Sequence, residues 1–287
     1  MDLIALWKEK LDEGGICFDP DLLVIHREGD FAREWGTVYY SEARERYKTE
    51  VKGRSNTSFD LGLMERMFLA DYGSLIVGAN PNSLFPGHLV IYPRQKNSVL
   101  TRENFSDIMS LASERPDITF IHNGERSAAS IVDWAHFQAY AMEFPLFSEE
   151  VIEVGANPDV SVGCTSESFP AYALNVRGQI GQVCDFIFRI DQELLRSTNP
   201  HMTRIPVNYI WSGESAWIIP RAMRQADIAS RFFGGLEIGG LFCLPNAADF
   251  PFYVRSSLVD IVREATLRCE AESSTREWFE GVCRQIL

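Results

Sequence analysis

The chain has 287 residues, 46% hydrophobic and 23% charged, ordinary proportions for one large globular domain or two moderate ones. Lys plus Arg is 27 against an Asp plus Glu of 40, a net charge of −13 whose summed field repels a polyanion, so DNA and RNA are excluded as expected partners; a small nucleotide is not, since a few local Arg and Lys side chains hold phosphates. No run of about 18 apolar residues occurs and no basic leader precedes an apolar stretch, so neither a membrane span nor a signal peptide is expected, and the location expected is cytoplasmic.

In chain order, Leu3, Ile4, Trp7 and Leu11 share one helical face, and Gly14-Gly15 stops that helix. Strands are expected near 75–79, 88–92, 118–122 and 136–142, with a helix over 102–112 that Thr101 caps. Residues 155–170 are rich in Gly, Asn, Pro, Ser and Thr and read as a connection. Beyond it, strands are expected near 172–176, 186–190, 207–211, 216–219 and 240–244, and helices over 222–232, 258–269 and 276–286. Ser257 with Asp260, and Ser274 with Glu277, have the spacing of capping boxes. Cys17, Cys164, Cys184, Cys243, Cys269 and Cys283 form no C-x-x-C pair and fit no zinc pattern, so reduced thiols and no metal or other cofactor are expected.

Two segments match each other. Asn80, a turn, Leu89-Val90-Ile91-Tyr92-Pro93-Arg94 and a helix are echoed by Asn208, a turn, Ala216-Trp217-Ile218-Ile219-Pro220-Arg221 and a helix. The fold class expected is therefore α+β, a duplicated unit of antiparallel sheet with flanking helices. Residues 1–154 form one half, 155–170 the connection and 171–287 a second half. Only the first half carries chemistry, because the counterpart of the His136 strand in the second is Gly239-Gly240-Leu241-Phe242-Cys243-Leu244, without histidine.

The informative stretch runs from His122-Asn123-Gly124-Glu125-Arg126-Ser127 through Ser130 to Trp134-Ala135-His136-Phe137-Gln138-Ala139-Tyr140. Strand alternation puts His136, Gln138 and Tyr140 on one face and Phe137 and Ala139 on the other. A polar face beside a loop of small residues suits phosphate oxygens. Asn80 serves either nucleotide binding or its own Asn-Pro turn; Ser127 and Ser130 either donate to phosphate or cap the loop. Arg94 and Lys96 are phosphate candidates, Arg126 a ligand for a distal phosphate, and His88 a structural residue at a strand start.

Between about Ile76 and Glu150 these elements resemble the GDP-hexose phosphorylases, notably GDP-L-galactose phosphorylase: Asn80-Pro81, Pro86-Gly87-His88-Leu89-Val90-Ile91-Tyr92-Pro93-Arg94, Asn123-Gly124 and His136-Phe137-Gln138-Ala139-Tyr140. More distantly the chain is similar to diadenosine tetraphosphate phosphorylase and galactose-1-phosphate uridylyltransferase, all in the histidine-triad superfamily. The signature there is His-x-His-x-Gln, and Trp134 stands where its first histidine would be. The resemblance implies a duplicated histidine-triad-like fold and a nucleotidyl-transfer enzyme of phosphorylase type. Its substrates would be a nucleotide sugar, GDP-hexose-like, and inorganic phosphate; the alternatives are a dinucleoside polyphosphate phosphorylase or an inactive nucleotide-binding protein. It assigns His136 as nucleophile and Gln138 as donor to a phosphoryl oxygen, and places Asn80, Arg94, Asn123, Gly124, Arg126, Ser127, Ser130 and Trp134 around the substrate, with no metal. A backbone carbonyl near the first motif position is expected to hold the other ring nitrogen of His136, and Trp134 supplies a carbonyl as well as histidine does.

Overall fold

A computed structural model describes residues 1–20, 23–26, 37–41, 61–124, 127, 133–196, 205–221, 234–244, 258–266 and 273–287. The strands are β1 (Leu23–His26), β2 (Thr37–Ser41), β3 (Phe68–Tyr72), β4 (Leu75–Ala79), β5 (Leu89–Pro93), β6 (Thr119–Asn123), β7 (Phe137–Tyr140), β8 (Val151–Ala156), β9 (Val160–Thr165), β10 (Leu174–Gly178), β11 (Val207–Ser212), β12 (Ser215–Pro220) and β13 (Leu241–Leu244). The helices are α1 (Leu3–Asp12), α2 (Leu61–Arg66), α3 (Arg102–Glu114), α4 (Ile180–Arg196), α5 (Gly235–Ile238), α6 (Leu258–Ala265) and α7 (Ser273–Ile286).

Ten strands make one sheet in the order β3-β4-β5-β7-β6-β11-β12-β10-β9-β8, every neighbouring pair antiparallel. Five strands lie on each side of the β6–β11 seam, where Asn123 pairs with Asn208 and His122 with Tyr209. The fold is thus α+β with a large antiparallel sheet and flanking helices. Segment 241–244, read from sequence as the counterpart of the His136 strand, pairs parallel with β2 in a separate three-stranded sheet.

Helices α1, α3, α4 and α7 bury their apolar stripes against one sheet face: Leu3 and Trp7, Phe105 and Ile108, Val183 and Ile187, Phe279 and Cys283 meet Leu89, Ile91, Phe137, Ala139, Tyr209 and Trp211. Each such large side chain contributes about 1.5–3 kcal/mol when taken fully out of water. Thr101 caps α3 as expected, its hydroxyl accepting from Asn104 N–H while the Asn104 side chain accepts from Thr101 N–H. The opposite face packs Ile121, Tyr140, Ile210, Trp217 and Ile219 under Leu236, Ile238, Phe242 and Val262 from α5, β13 and α6.

Several elements differ from the sequence expectation. Residues 186–190 are helix, inside α4, because Val183, Ile187, Ile190 and Leu194 recur at helical spacing and all are buried; the short apolar run alone suggested a strand. Segment 155–170 holds β9, which hydrogen-bonds to β8 and β10 inside the sheet. Helix α7 starts at Ser273, so Ser274 is not its cap residue. The expected helix 222–232 and the cap at Ser257 lie outside the described residues. Among the described residues no helix is long and apolar enough to cross a membrane.

Candidate active site

Strand β7 is central in the sheet, paired with β5 through Val90↔Gln138 and with β6 through His122↔Phe137. Pleating sends Phe137 and Ala139 into the helix-covered core and leaves Gln138 and Tyr140 on the opposite face, as the alternation required. His136 immediately precedes the strand and is 6% exposed. Its Nδ1 lies 3.1 Å from the Trp134 carbonyl oxygen. A carbonyl only accepts, so Nδ1 carries the proton and the lone pair of the neutral ring sits on Nε2. Burial pushes the His136 pKa below the ordinary histidine value, the Trp134 bond opposing it weakly.

A second histidine, which sequence reasoning left without a role, steadies this residue. His122 Nδ1 donates to the His136 carbonyl at 2.8 Å, and its ring lies between Phe137 and a stacked Tyr209. The only sequence signal was its position four strand residues into an apolar segment that pairs with β7. The bond fixes the backbone of His136 from the core side, so the ring on the other side starts from a rigid point.

Gln138 is held equally firmly. The Leu84 N–H donates to His88 Nδ1 at 3.0 Å, which leaves the proton of the neutral His88 ring on Nε2. That nitrogen lies 3.2 Å from Gln138 Oε1, and the Tyr140 hydroxyl donates to the same oxygen at 2.5 Å. Asn80 Nδ2 stands 3.1 Å from His88 Nε2, while Asn80 Oδ1 accepts from Asn82 N–H, closing its Asn-Pro turn. Asn80 therefore does turn work and touches the site through His88. His88, expected to be structural, contacts the motif glutamine directly.

The seam between the sheet halves shapes the loop before His136. Asn123 Oδ1 accepts from Asn208 Nδ2 (2.7 Å) and from Gly235 N–H (2.9 Å). Asn208 Nδ2 also reaches the Ser127 carbonyl, and Asn208 Oδ1 accepts from buried Arg221, whose pKa desolvation lowers to about 10. Gly124 N–H donates to the Val207 carbonyl, and a Cβ at Gly124 would fall 2.7 Å from that oxygen, so the residue must be glycine for the loop to close on β11. The Ser127 hydroxyl lies 2.9 Å from the Gly124 carbonyl and 2.7 Å from that of Val207. Asn123, Gly124 and Ser127 thus spend these groups on loop architecture. Their expectation was contact with substrate; the structure shows these groups bonded to Val207, Asn208 and Gly235 and to one another. Arg126 and Ser130 lie outside the described residues.

Trp134 packs with Met64, Val90 and Tyr92 and donates its indole N–H to the Pro93 carbonyl at 3.0 Å. It lies on the Gln138 side of the sheet, since Val90 pairs with Gln138, but is 7% exposed. The chain bends before β7, and that bend tucks the indole against the sheet. The phosphate candidates Arg94 and Lys96 are exposed and paired, Arg94 with Asp71 at 2.8 Å and Lys96 with Asp133 at 2.5 Å. A cavity of about 340 Å³ at the other end of β6, lined by Thr119, Met142, Arg177 and Trp217 among others, touches none of the site residues. Among the described residues no group of three or more His, Cys, Asp or Glu side chains is arranged to hold a metal ion.

Comparison with known proteins adds to this geometry. Residues 65–141 match the model of a domain of unknown function, DUF4922. No curated protein matches the sequence. Among solved structures, yeast Ap4A phosphorylase Apa2 is similar with a TM-score of 0.64 at 9% identity, covering 92% of each chain. Its complex with Ap4A gives 0.61 at 10% identity over 92% of this chain and 95% of that one, and its complex with AMP 0.58 at 11% identity over 93% and 94%. The likeness extends over nearly the whole of both chains, and this chain shares the fold of yeast Ap4A phosphorylase.

Proposed function

We propose that this protein is a nucleotidyl-transfer enzyme of phosphorylase type, using His136 as a covalent nucleophile on a nucleoside 5′-phosphate derivative. The observation that carries the reading is a buried imidazole just before β7, its Nδ1–H donating to the Trp134 carbonyl, with Gln138 two residues further on in that strand. In the first step the Nε2 lone pair of His136 forms a bond to the α-phosphorus, and the bond from that phosphorus to the bridging oxygen breaks, the electron pair leaving with the distal phosphate group. The ring then carries positive charge, and the Trp134 carbonyl at Nδ1 stabilises it. The Gln138 amide donates to a non-bridging oxygen as charge builds there. In the second step an oxygen of inorganic phosphate attacks the same phosphorus, the N–P bond breaks, and the lone pair returns to Nε2, releasing a nucleoside diphosphate.

The substrate we propose first is a nucleoside diphosphate sugar of the GDP-hexose kind, on the sequence resemblance from Ile76 to Glu150, with a sugar 1-phosphate as leaving group. A dinucleoside polyphosphate is the second reading, favoured by the near full-length likeness to yeast Ap4A phosphorylase. A cytoplasmic location is part of the same reading.

The test incubates the protein with GDP-, ADP- and UDP-sugars and with Ap4A, each with and without phosphate. Phosphate-dependent release of a nucleoside diphosphate, and an acid-labile nucleotide label on the protein when phosphate is withheld, are expected. Inversion at phosphorus with no trapped adduct would overturn the two-step scheme, and release of a nucleoside monophosphate to water would make the protein a hydrolase.

A further inference from the structure

We propose that His88 and Tyr140 are positioning residues that lock the carboxamide of Gln138, so that its NH₂ group and not its carbonyl is presented to the substrate phosphate. The inference rests on the nucleotidyl-transfer reading. A glutamine side chain is ambivalent: rotated by half a turn it presents an acceptor oxygen, which repels a phosphoryl oxygen, in place of two N–H donors that bind it. A catalytic glutamine therefore needs something that distinguishes its two ends.

The structure supplies it through one donor whose direction is fixed, His88 Nε2, with the Tyr140 hydroxyl adding a second bond to the same oxygen. The Leu84 backbone N–H, which only donates, occupies His88 Nδ1 and forces the neutral ring to carry its proton on Nε2. Gln138 Oε1 lies 3.2 Å from that N–H and 2.5 Å from the Tyr140 hydroxyl, which donates to it. A carbonyl oxygen has two lone pairs, so these two donors fill it; the flipped carboxamide would remove the one acceptor at His88 Nε2 and set a second amide N–H against it, beside that of Asn80 3.1 Å away. Both donors stand at the Tyr140 end of the strand: Leu89 pairs with Ala139 and Val90 with Gln138, which places His88 opposite Tyr140. On the proposal, the amide nitrogen points away from both donors and is left for the substrate. The His88 ring also lies against the Tyr140 ring, centroids 4.5 Å apart, so the two donors hold each other in place as well as Gln138. The chain of constraint runs from one backbone N–H, through a tautomer, to the orientation of one amide.

The test compares wild type with Tyr140→Phe, His88→Asn, Gln138→Ala and the doubles Tyr140→Phe/Gln138→Ala and His88→Asn/Gln138→Ala. Removing a transition-state donor costs roughly 10²–10³ in kcat, so Gln138→Ala should fall by that much, and each single positioning variant by about 10-fold with KM within about twofold. In the Gln138→Ala background the positioning substitutions should have less than about a twofold further effect on kcat, since they act only through Gln138. Full, multiplicative losses in the doubles would overturn the proposal. Tyr140→Phe removes a single hydroxyl from a buried ring and keeps the proposal testable if His88→Asn does not fold. A second readout needs no turnover: in ¹⁵N-glutamine-labelled protein, the side-chain amide signal absent from Gln138→Ala should shift in Tyr140→Phe, and an unchanged signal would overturn the pinning. Wild-type protein that transfers no nucleotide would instead overturn the proposed function, while the amide signal still judges the hydrogen bonds.

Discussion

The imidazole of His136 and the backbone of Trp134 are joined at 3.1 Å through Nδ1, and this contact sets the chemistry of the ring. It assigns the proton to one nitrogen and the lone pair to the other without any ionised partner. A carboxylate in the same place would raise the histidine pKa; a carbonyl orients the ring while burial keeps it neutral. Because the acceptor belongs to the main chain, a tryptophan in place of the first motif histidine leaves the bond unaltered.

The pH dependence follows with a definite sign. Attack needs the neutral ring, and burial puts the folded-state pKa of His136 below the ordinary value of about 6.5. kcat/KM should therefore be flat from neutral pH down through about 6.5 and fall only below it, as the lowered pKa is crossed. Stability carries the same sign: the contribution of the neutral buried ring is present above the unfolded pKa and lost as pH falls through the folded one. A rate that already declines between pH 8 and 7 on acidification, measured with substrate well below KM, would refute this.

His136→Ala should abolish turnover, on the order of 10⁴-fold or more in kcat, while leaving the protein folded. The clamp from His122 goes to the main-chain carbonyl of residue 136 and is indifferent to its side chain. Retention of more than about a tenth of the wild-type rate would mean that another group is the nucleophile.

Asn208→Ala should act through the loop. Its side chain bonds Asn123, the Ser127 carbonyl and Arg221 at once, so the truncation unties the loop before His136 from the second half of the sheet and removes an acceptor from a buried guanidinium. Losing such a charged, buried hydrogen bond costs about 1.5–3 kcal/mol. Both a lower melting temperature and a lower kcat are expected. Unchanged kcat in a destabilised protein would show that the seam holds the fold without shaping the site.

How much of this was legible in the sequence depended on how local the cause was. Gln138 and Tyr140 on one face of β7 follow from alternation, although the strand begins one residue after His136, and the Thr101 cap follows from three residues of spacing. The helix over residues 186–190 was hidden because Phe186-Ile187-Phe188 is apolar on every side; only the wider recurrence of Val183, Ile190 and Leu194 exposes its period. The strand Val160–Thr165 was hidden because it is held by pairing with β8 and β10 and its segment is rich in turn-forming residues. The site followed the same rule. Its motif was readable, but the work of His88 and His122 depends on contacts 50 and 14 residues away, and no spacing encodes those.

Trp134 offers a decision between two physical roles. It stands on the Gln138 side of the sheet, where a large flat ring is able to stack on a nucleobase or a sugar. Its surroundings argue for packing. The indole is 7% exposed, its N–H is satisfied by the Pro93 carbonyl, the edge of Tyr92 meets it at 5.6 Å, and Lys96 stands over the ring at 5.9 Å. Little of the ring remains for a ligand, and its energetic contribution is to hold the bend that brings its own carbonyl to His136. Trp134→Ala should therefore cost about 3–5 kcal/mol of stability, as truncation of a buried tryptophan does. The effect on catalysis should fall on kcat more than on KM, because the Trp134 carbonyl loses its fixed place beside Nδ1. Trp134→Phe, which fills most of the volume and forfeits only the indole N–H, should recover most of both. Thermal unfolding and steady-state kinetics on the two variants decide the matter: a KM raised tenfold in a protein of unchanged melting temperature would make Trp134 a substrate-stacking residue after all.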